Sequence, residues 1–165
     1  MFRNCFFALS VLVLLSGCGE KHPDGFPKLY PVSVLVTQDG KPLADAAVTL
    51  RYPDDTGIWA IGGSSDADGK AQLRTNGYPG APLGKFKVVV MKENADGMKE
   101  WEQASANNDQ NAAAKLKAKI HVYSLVKPEF NRPNTTPLEV EVQADTKTLT
   151  VDVSPAVKIE QQLAL

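Results

Sequence analysis

The sequence has few of the residues from which metal and redox sites are usually built. Its 165 residues include two cysteines and two histidines. The histidines, His22 and His121, are far apart, and neither belongs to an HExxH motif or another familiar ligand spacing. Because a catalytic zinc ion needs at least three protein ligands, we expect no metal and no cofactor. His121 is better interpreted as a surface or partly packed residue.

Motifs that support catalysis are also scarce. No GxSxG sequence frames a serine nucleophile. Glu100 and Glu102 could be drawn as paired carboxylates, but positions two apart on a helix do not face each other. Residues 66–69 (DADG) resemble the start of a calcium loop, yet Thr75 stands where that loop ends with a glutamate. A turn capped by side chains is the preferred interpretation, and we predict no catalytic residues.

Neither sign of charge dominates the chain. Lysine and arginine number 18 against 19 aspartate and glutamate, which gives a net charge of -1. A nucleic-acid-binding domain normally carries a basic patch, so we expect no nucleic-acid partner. The apolar run at residues 6–15 is about half of the roughly 20 residues that a membrane-spanning helix needs. It therefore predicts no permanent transmembrane helix.

The apolar run has the features of an export signal instead. Arg3 precedes it and small residues follow it, which predicts a cleavable signal peptide over residues 1–17; a short buried core helix is the alternative. The motif at its end resembles the bacterial lipobox and consists of Leu15, Ser16, Gly17 and Cys18. This resemblance implies that Cys18 becomes the first residue of the mature chain and carries acyl chains such as palmitate. Two or more such chains hold a protein firmly, since each buried methylene contributes about 0.8 kcal/mol.

We therefore expect an exported protein that is lipid-anchored on the periplasmic face or at the cell surface. In lipobox proteins an aspartate after the cysteine is associated with inner-membrane retention. Gly19 stands at that position, which favours the outer membrane. Residues 18–29 contain prolines and glycines without periodicity, so they predict a flexible tether.

Most of the remaining chain predicts β-structure. Apolar and polar residues alternate from Tyr30 to Val90 with the period of half-buried strands. The predicted core face consists of Val32, Val34, Val36, Ala46, Val48, Leu50, Ala71, Leu73, Phe86, Val88 and Val90. Residues 58–61 are interpreted as a short strand. Asp39-Gly40 predicts a turn, which Lys41-Pro42 is expected to extend beyond a two-residue hairpin.

The second half of the chain is less regular. Residues 95–119 are rich in Ala, Asn, Gln and Lys; Asp109 could cap a helix over residues 110–119, and a mobile insertion is the alternative. Alternation returns at residues 138–142 and 149–153, which predicts a closing hairpin. Residues 154–165 show no pattern and are predicted to be a peripheral tail.

Three of the alternating segments resemble a known family. They are YPVSVLVTQDGKPLADAAVTL at 30–50, SSDADGKAQL at 64–73 and GAPLGKFKVVV at 80–90. They are similar to the carboxypeptidase-regulatory-like (transthyretin-like, prealbumin-like) domain of small bacterial lipoproteins, over residues 30–153 and with 95–119 longer than usual. The resemblance implies an all-β, Greek-key β-sandwich of about seven strands without catalytic zinc ligands. A short helix is expected near residues 98–119.

Three aromatic residues are candidates for contacts to a ligand or partner. Trp59, Tyr78 and Trp101 fall in or near loops, where binding residues concentrate; Trp59 is also explained as a core residue that closes one end of the sandwich. We expect a non-catalytic, lipid-anchored envelope protein that contacts the membrane through its anchor and binds another envelope protein or a glycan. The alternative is a carbohydrate- or small-ligand-binding lipoprotein that uses the loop aromatics.

Overall fold

The chain folds into an all-β sandwich with short helices in its insertion. The computed structural model describes residues 23–54 and 57–161, so the predicted signal peptide, the lipobox and Cys18 lie outside the described residues. The described elements are β1 Ser33–Gln38, β2 Lys41–Pro42, β3 Ala47–Arg51, β4 Ile61–Ser64, β5 Lys70–Gln72, β6 Arg74–Thr75, β7 Tyr78–Pro79, β8 Gly84–Met91, β9 Glu93–Asp96, α1 Met98–Ala106, α2 Gln110–Lys117, β10 His121–Ser124, a 3-10 helix Pro128–Asn131, β11 Glu139–Val142, β12 Thr148–Asp152 and β13 Ile159–Glu160.

Two sheets face each other across the core. In the smaller sheet, β1 lies between β12 on one side and β2 and β5 on the other, and β1 and β12 run parallel. The larger sheet is antiparallel and has the order β11-β8-β3-β4-β6-β7. When β5 and β6 are counted as one strand and the two-residue strands β2 and β7 are set aside, the described part of the sandwich has seven principal strands. The predicted fold class is therefore confirmed.

The core consists of the alternating residues that the sequence predicted. Val34 and Val36 of β1 are fully buried, and Leu50 of β3 and Phe86 of β8 are exposed by only 1%. All four belong to one hydrophobic cluster that includes residues of both sheets. Because burying such a side chain contributes about 1.5–3 kcal/mol, this cluster is the main source of stability.

One strand passes from the smaller sheet to the larger one. Its first part, β5, pairs with β1, and its second part, β6, pairs with β4. The crossing brings the backbone carbonyl of Gln72 against Gly63 of β4, where a Cβ atom would lie 2.3 Å from the carbonyl oxygen. No side chain fits at this separation, so the crossing depends on glycine at position 63.

The predicted closing hairpin is wrong. Residues 139–142 form β11 and pair with β8, whereas residues 148–152 form β12 and pair with β1. The turn between them therefore joins the two sheets. The alternation correctly placed Val142 and Val151 in the core, but a period of two identifies the buried face and not the neighbouring strand.

The first turn and the third strand also differ from the prediction. Asp39 and Gly40 have φ angles of 51° and 73° and connect β1 directly to β2, which is a two-residue hairpin with the positive φ angles of a type I′ turn. Strand β4 begins at Ile61, which pairs with Leu50 near the end of β3. Ile58 lies outside the strand, and its side chain is 80% exposed.

The insertion forms a separate layer of helices and short strands. Helices α1 and α2 connect β9 to β10, and these two strands pair in antiparallel fashion. The Asp109 carboxylate accepts a hydrogen bond from the Ala112 N–H at 2.9 Å, so the predicted helix cap is confirmed. The tail is more than peripheral, because β13 pairs with β10 as a third strand. None of the helices in the described ranges has the length and apolar character needed to cross a bilayer.

Candidate functional site

Two of the three candidate aromatic residues meet at one end of the sandwich. The ring centroids of Trp59 and Tyr78 lie 4.8 and 5.1 Å from that of Phe26, at interplanar angles of 72° and 64°. These are edge-to-face contacts, which the ring quadrupoles favour. All three side chains are half-buried, so Trp59 is neither a fully buried core residue nor a free surface ring. We call Phe26, Ile58, Trp59 and Tyr78 the aromatic end.

Phe26 belongs to the segment that was predicted to be a flexible tether, but it packs on the sandwich. Its N–H donates to the Pro23 carbonyl at 3.0 Å, and Gly25 between them has a φ angle of 77°, which favours glycine. Further along, Tyr30 and Ala81 exchange two backbone hydrogen bonds of 2.9 and 3.0 Å. The described part of the predicted tether is thus attached to the fold by the ring contacts of Phe26, and the β-bridge at Tyr30 follows directly after it.

A two-residue hairpin places Tyr78 beside the Trp59 loop. Asn76 and Gly77 have φ angles of 48° and 89° and connect β6 to β7, as expected of an Asn-Gly type I′ turn. The Asn76 Oδ1 accepts the Ala60 N–H at 2.9 Å, and the Asn76 N–H donates to the Ala60 carbonyl at 2.8 Å. Because Ala60 follows Trp59 in the chain, these bonds hold the tryptophan next to Tyr78.

Two arginines lie next to the aromatic end. Arg51 and Arg74 line a hollow of about 450 Å³ on the larger sheet, and no carboxylate is among the described residues that line it. The Arg74 Nε donates to the Gly77 carbonyl at 2.7 Å, which fixes this side chain beside the Asn-Gly turn. Asp24 and Asp54 lie in turns close by in the chain. Acidic and basic residues are therefore both close to the aromatic end in the sequence.

The third candidate aromatic residue is separate from the other two. Trp101 lies half-buried on α1, a helix of the insertion. Glu100 and Glu102 are exposed on the same helix, where side chains two positions apart point in different directions. Trp101 is therefore not part of the aromatic end. Glu100 and Glu102 do not form a pair of carboxylates.

The acidic turn at residues 66–69 is closed by its own side chain. The Asp66 Oδ1 accepts the N–H groups of Asp68 and Lys70 at 3.0 and 2.9 Å, and Gly69 has a φ angle of 73°. This is the side-chain-capped turn that the sequence favoured. Over residues 23–54 and 57–161, no three His, Cys, Asp or Glu side chains are grouped so that they could hold a metal ion.

The spacing of Ser124 and Lys127 matches the SxxK motif of some serine hydrolases, but each side chain has a different partner. The Ser124 hydroxyl donates to the Val126 carbonyl at 2.7 Å and is buried. The Lys127 Nζ lies 3.8 Å from the carboxylate of Glu129. The serine is therefore a turn-forming group, and the pair does not make a nucleophile and its base.

A charged cluster joins the tail to the insertion. The Lys158 Nζ donates to the Asp96 carboxylate at 3.0 Å and lies 4.0 Å from the ring centroid of Tyr123. The Tyr123 hydroxyl donates to the same carboxylate at 3.2 Å. The hydrogen bond from Lys158 lowers the pKa of Asp96, and it raises the pKa of Lys158. His121 is exposed opposite Asp96 in the strand pairing, in agreement with its interpretation as a surface residue.

The aromatic end is suited to binding, and the Tyr78 phenol is the one ionisable group among its four side chains. It combines half-buried rings with the exposed Ile58 side chain, which favours contact with an apolar or amphipathic surface. Sequence reasoning found Trp59 and Tyr78 but missed Phe26 and Ile58. The Asn-Gly pair at 76–77 could have revealed the hairpin; the packing of Phe26 has no signal in a Pro- and Gly-rich segment.

Comparison with known proteins gives no match for this chain, whether with family models, with curated proteins or with solved structures. The resemblance to the carboxypeptidase-regulatory-like domain therefore stays a prediction. The class of fold, an all-β sandwich with a short helical insertion, follows from the structure alone.

Proposed function

We propose that this protein is a non-catalytic, lipid-anchored protein of the cell envelope and that its sandwich is a scaffold for binding a partner. The observation that carries the proposal is the Leu15-to-Cys18 motif directly before the fold. Four residues, 19–22, separate Cys18 from Pro23, where the turn that leads into the packed chain begins. A lipid at Cys18 would hold the sandwich close to a membrane without any spanning helix.

The polar groups of the described residues support a scaffold. The carboxylate of Asp66 caps a turn, the Ser65 hydroxyl donates to the Leu43 carbonyl at 2.7 Å, and the Thr75 hydroxyl donates to the Gly80 carbonyl at 2.7 Å. Such groups stabilise loops and strand ends. Because their hydrogen bonds join backbone groups of turns and strand ends, these side chains are structural, and they favour binding by the surface over chemistry at a buried site.

The test is a Cys18→Ser variant of the full-length protein in its own cell. We expect the variant to leave the membrane fraction, because a serine accepts no thioether-linked lipid. The measurement is fractionation with a high-salt wash, which removes proteins held only by charge. The matched control is Cys5→Ser in the predicted signal peptide, which should stay with the membranes. A Cys18→Ser protein that still sediments with washed membranes contradicts the proposal.

A second candidate function is binding of an envelope glycan, and the juxtaposition of Trp59 and Tyr78 favours it. Sugar rings stack on aromatic faces, so binding should change the environment of Trp59. In a Trp101→Phe background, we expect glycan fragments from the envelope to shift the Trp59 fluorescence. An unchanged emission at saturating fragment concentrations, with Trp59→Phe as the blank, argues against this candidate.

A further inference from the structure

The aromatic end carries the most exposed large apolar side chain of the described residues. Ile58 is 80% exposed, against 47% for Leu83, 42% for Met91 and 39% for Ile159. It stands beside Trp59, whose ring is held by Phe26 and whose loop is held by Asn76. An exposed isoleucine next to partly buried Trp, Tyr and Phe rings has the composition of a surface that lies at a membrane interface, where amphipathic rings collect.

The position of this surface along the chain agrees with that composition. Phe26 is eight residues after Cys18, and eight residues reach at most about 29 Å when fully extended. A domain of this size has a radius of gyration of about 14 Å, so the tether is no longer than the domain is wide. If Cys18 carries lipid, the chain that leads away from the anchor first contacts the sandwich at the aromatic end.

Met91, another exposed apolar side chain, does not have this position. Met91 pairs with Ala47 at the start of β3, while the Trp59 loop follows the end of that strand. The two sites therefore lie at opposite ends of the larger sheet. Met91 also has no aromatic partner among the described ring contacts.

We propose that the aromatic end rests on the phospholipid surface of the membrane that holds the protein's own anchor, with Ile58 and the edge of Trp59 inserted at the headgroup level. This inference rests on the proposed lipidation of Cys18. The contact is apolar, because the two side chains that make it, Ile58 and Trp59, carry no charge. The lipid and the aromatic end then act as two attachment points, and they fix the orientation of the sandwich above the bilayer.

The experiment measures whether Trp59 touches acyl chains. The full-length lipidated protein, as Trp101→Phe so that Trp59 is its one tryptophan, is placed in phosphatidylcholine vesicles whose acyl chains are brominated near the headgroup. We expect bromine to quench the Trp59 emission relative to unbrominated vesicles. The Trp59→Phe protein, which keeps Trp101, should give equal emission in both kinds of vesicle.

A pair of surface variants in the Trp101→Phe background sharpens the result. Ile58→Asp should abolish the quenching, because it places a charge at the contact, and Met91→Asp should leave it unchanged. Both positions are exposed, so both variants are expected to keep the circular dichroism of the parent. High salt should not reduce the quenching.

The outcomes separate this inference from the proposed function. Acylated, vesicle-bound protein whose Trp59 emission is the same in brominated and plain vesicles overturns the inference alone, and it is the result expected if the aromatic end binds a protein. A mature chain whose mass shows no acyl group on Cys18 overturns the proposed function and this inference together.

Discussion

The sandwich and the insertion layer are stabilised by different interactions. In the sandwich, valines, Leu50 and Phe86 are buried in one cluster between two sheets. In the insertion layer, α1 has no buried residue and α2 has one, Ala113. This layer is held instead by the pairing of its strands and by polar contacts such as those among Lys158, Asp96 and Tyr123. Burial of apolar area is worth far more than exposed ion pairs, so we expect the sandwich to unfold globally and the layer to open locally.

The largest effect should come from the core of the sandwich. Phe86→Ala removes a ring that is 1% exposed and lies 4.9 Å from the ring of Tyr52, and we expect a loss of about 3–5 kcal/mol in the free energy of unfolding. Denaturant titration measures it. Ile58→Ala is the control on an exposed site, with an expected change within about 0.5 kcal/mol. Equal losses in the two variants would mean that the cluster does not set the stability.

An intermediate effect is expected where the strand crosses between the sheets. Gly63→Ala places a methyl group against the Gln72 carbonyl, and overpacking of this kind costs about 1–3 kcal/mol. The neighbouring Ser64→Ala, at an exposed position of the same strand, should change little. The same denaturant titration compares them. A Gly63→Ala protein as stable as Ser64→Ala would show that the two sheets can separate at this point without cost.

The smallest effect should be confined to the insertion layer. Because the Lys158 hydrogen bond lowers the pKa of Asp96, its stabilisation is complete above the ordinary aspartate pKa of 3.8 and is lost as the pH falls through the lower folded value. We expect Asp96→Asn to speed hydrogen exchange in residues 93–96 and 121–124 at neutral pH, relative to the parent protein at the same pH. The difference should vanish in acid.

A matched variant tests whether the effect is confined to the insertion layer. The Ser154 hydroxyl lowers the pKa of Asp152 on β12, so Asp152→Asn perturbs the sandwich edge with a similar change of charge. Its effect on hydrogen exchange should appear in β12 and not in residues 93–96. Exchange that speeds up in the same residues for both variants would break the division into two regions.

The sandwich could be predicted from the sequence because its signal is local. Alternation identifies Val34, Val36 and Phe86 as inward-facing without reference to the rest of the chain. Strand partners are not local, and this is why residues 138–153 were predicted to be a hairpin. The Gly63 contact with Gln72 likewise depends on two strands that no periodicity relates.

The insertion layer and the aromatic end were harder to predict for different reasons. The prediction that Asp109 caps α2 is correct, because helix capping depends on residues that are close in the sequence. Strands β9, β10 and β13 have little alternation, since they cover no large core. At the aromatic end, the ring contact of Phe26 joins a turn near the start of the fold to residues about 33 and 52 positions later, beyond the reach of any short-range rule.

The parallel pairing of β1 with β12 also has a consequence for how the chain acquires its structure. Ser33 and Thr148, which lie opposite each other and share a hydrogen bond, are 115 residues apart. Closing so long a loop is slow, because its entropic cost comes before the strand contacts that offset it have formed. The smaller sheet is therefore incomplete until residues 148–152 have been released from the ribosome. If the chain is exported as we propose, this arrangement would help to keep it unfolded for the export channel, since β1 has no β12 partner until residues 148–152 are made.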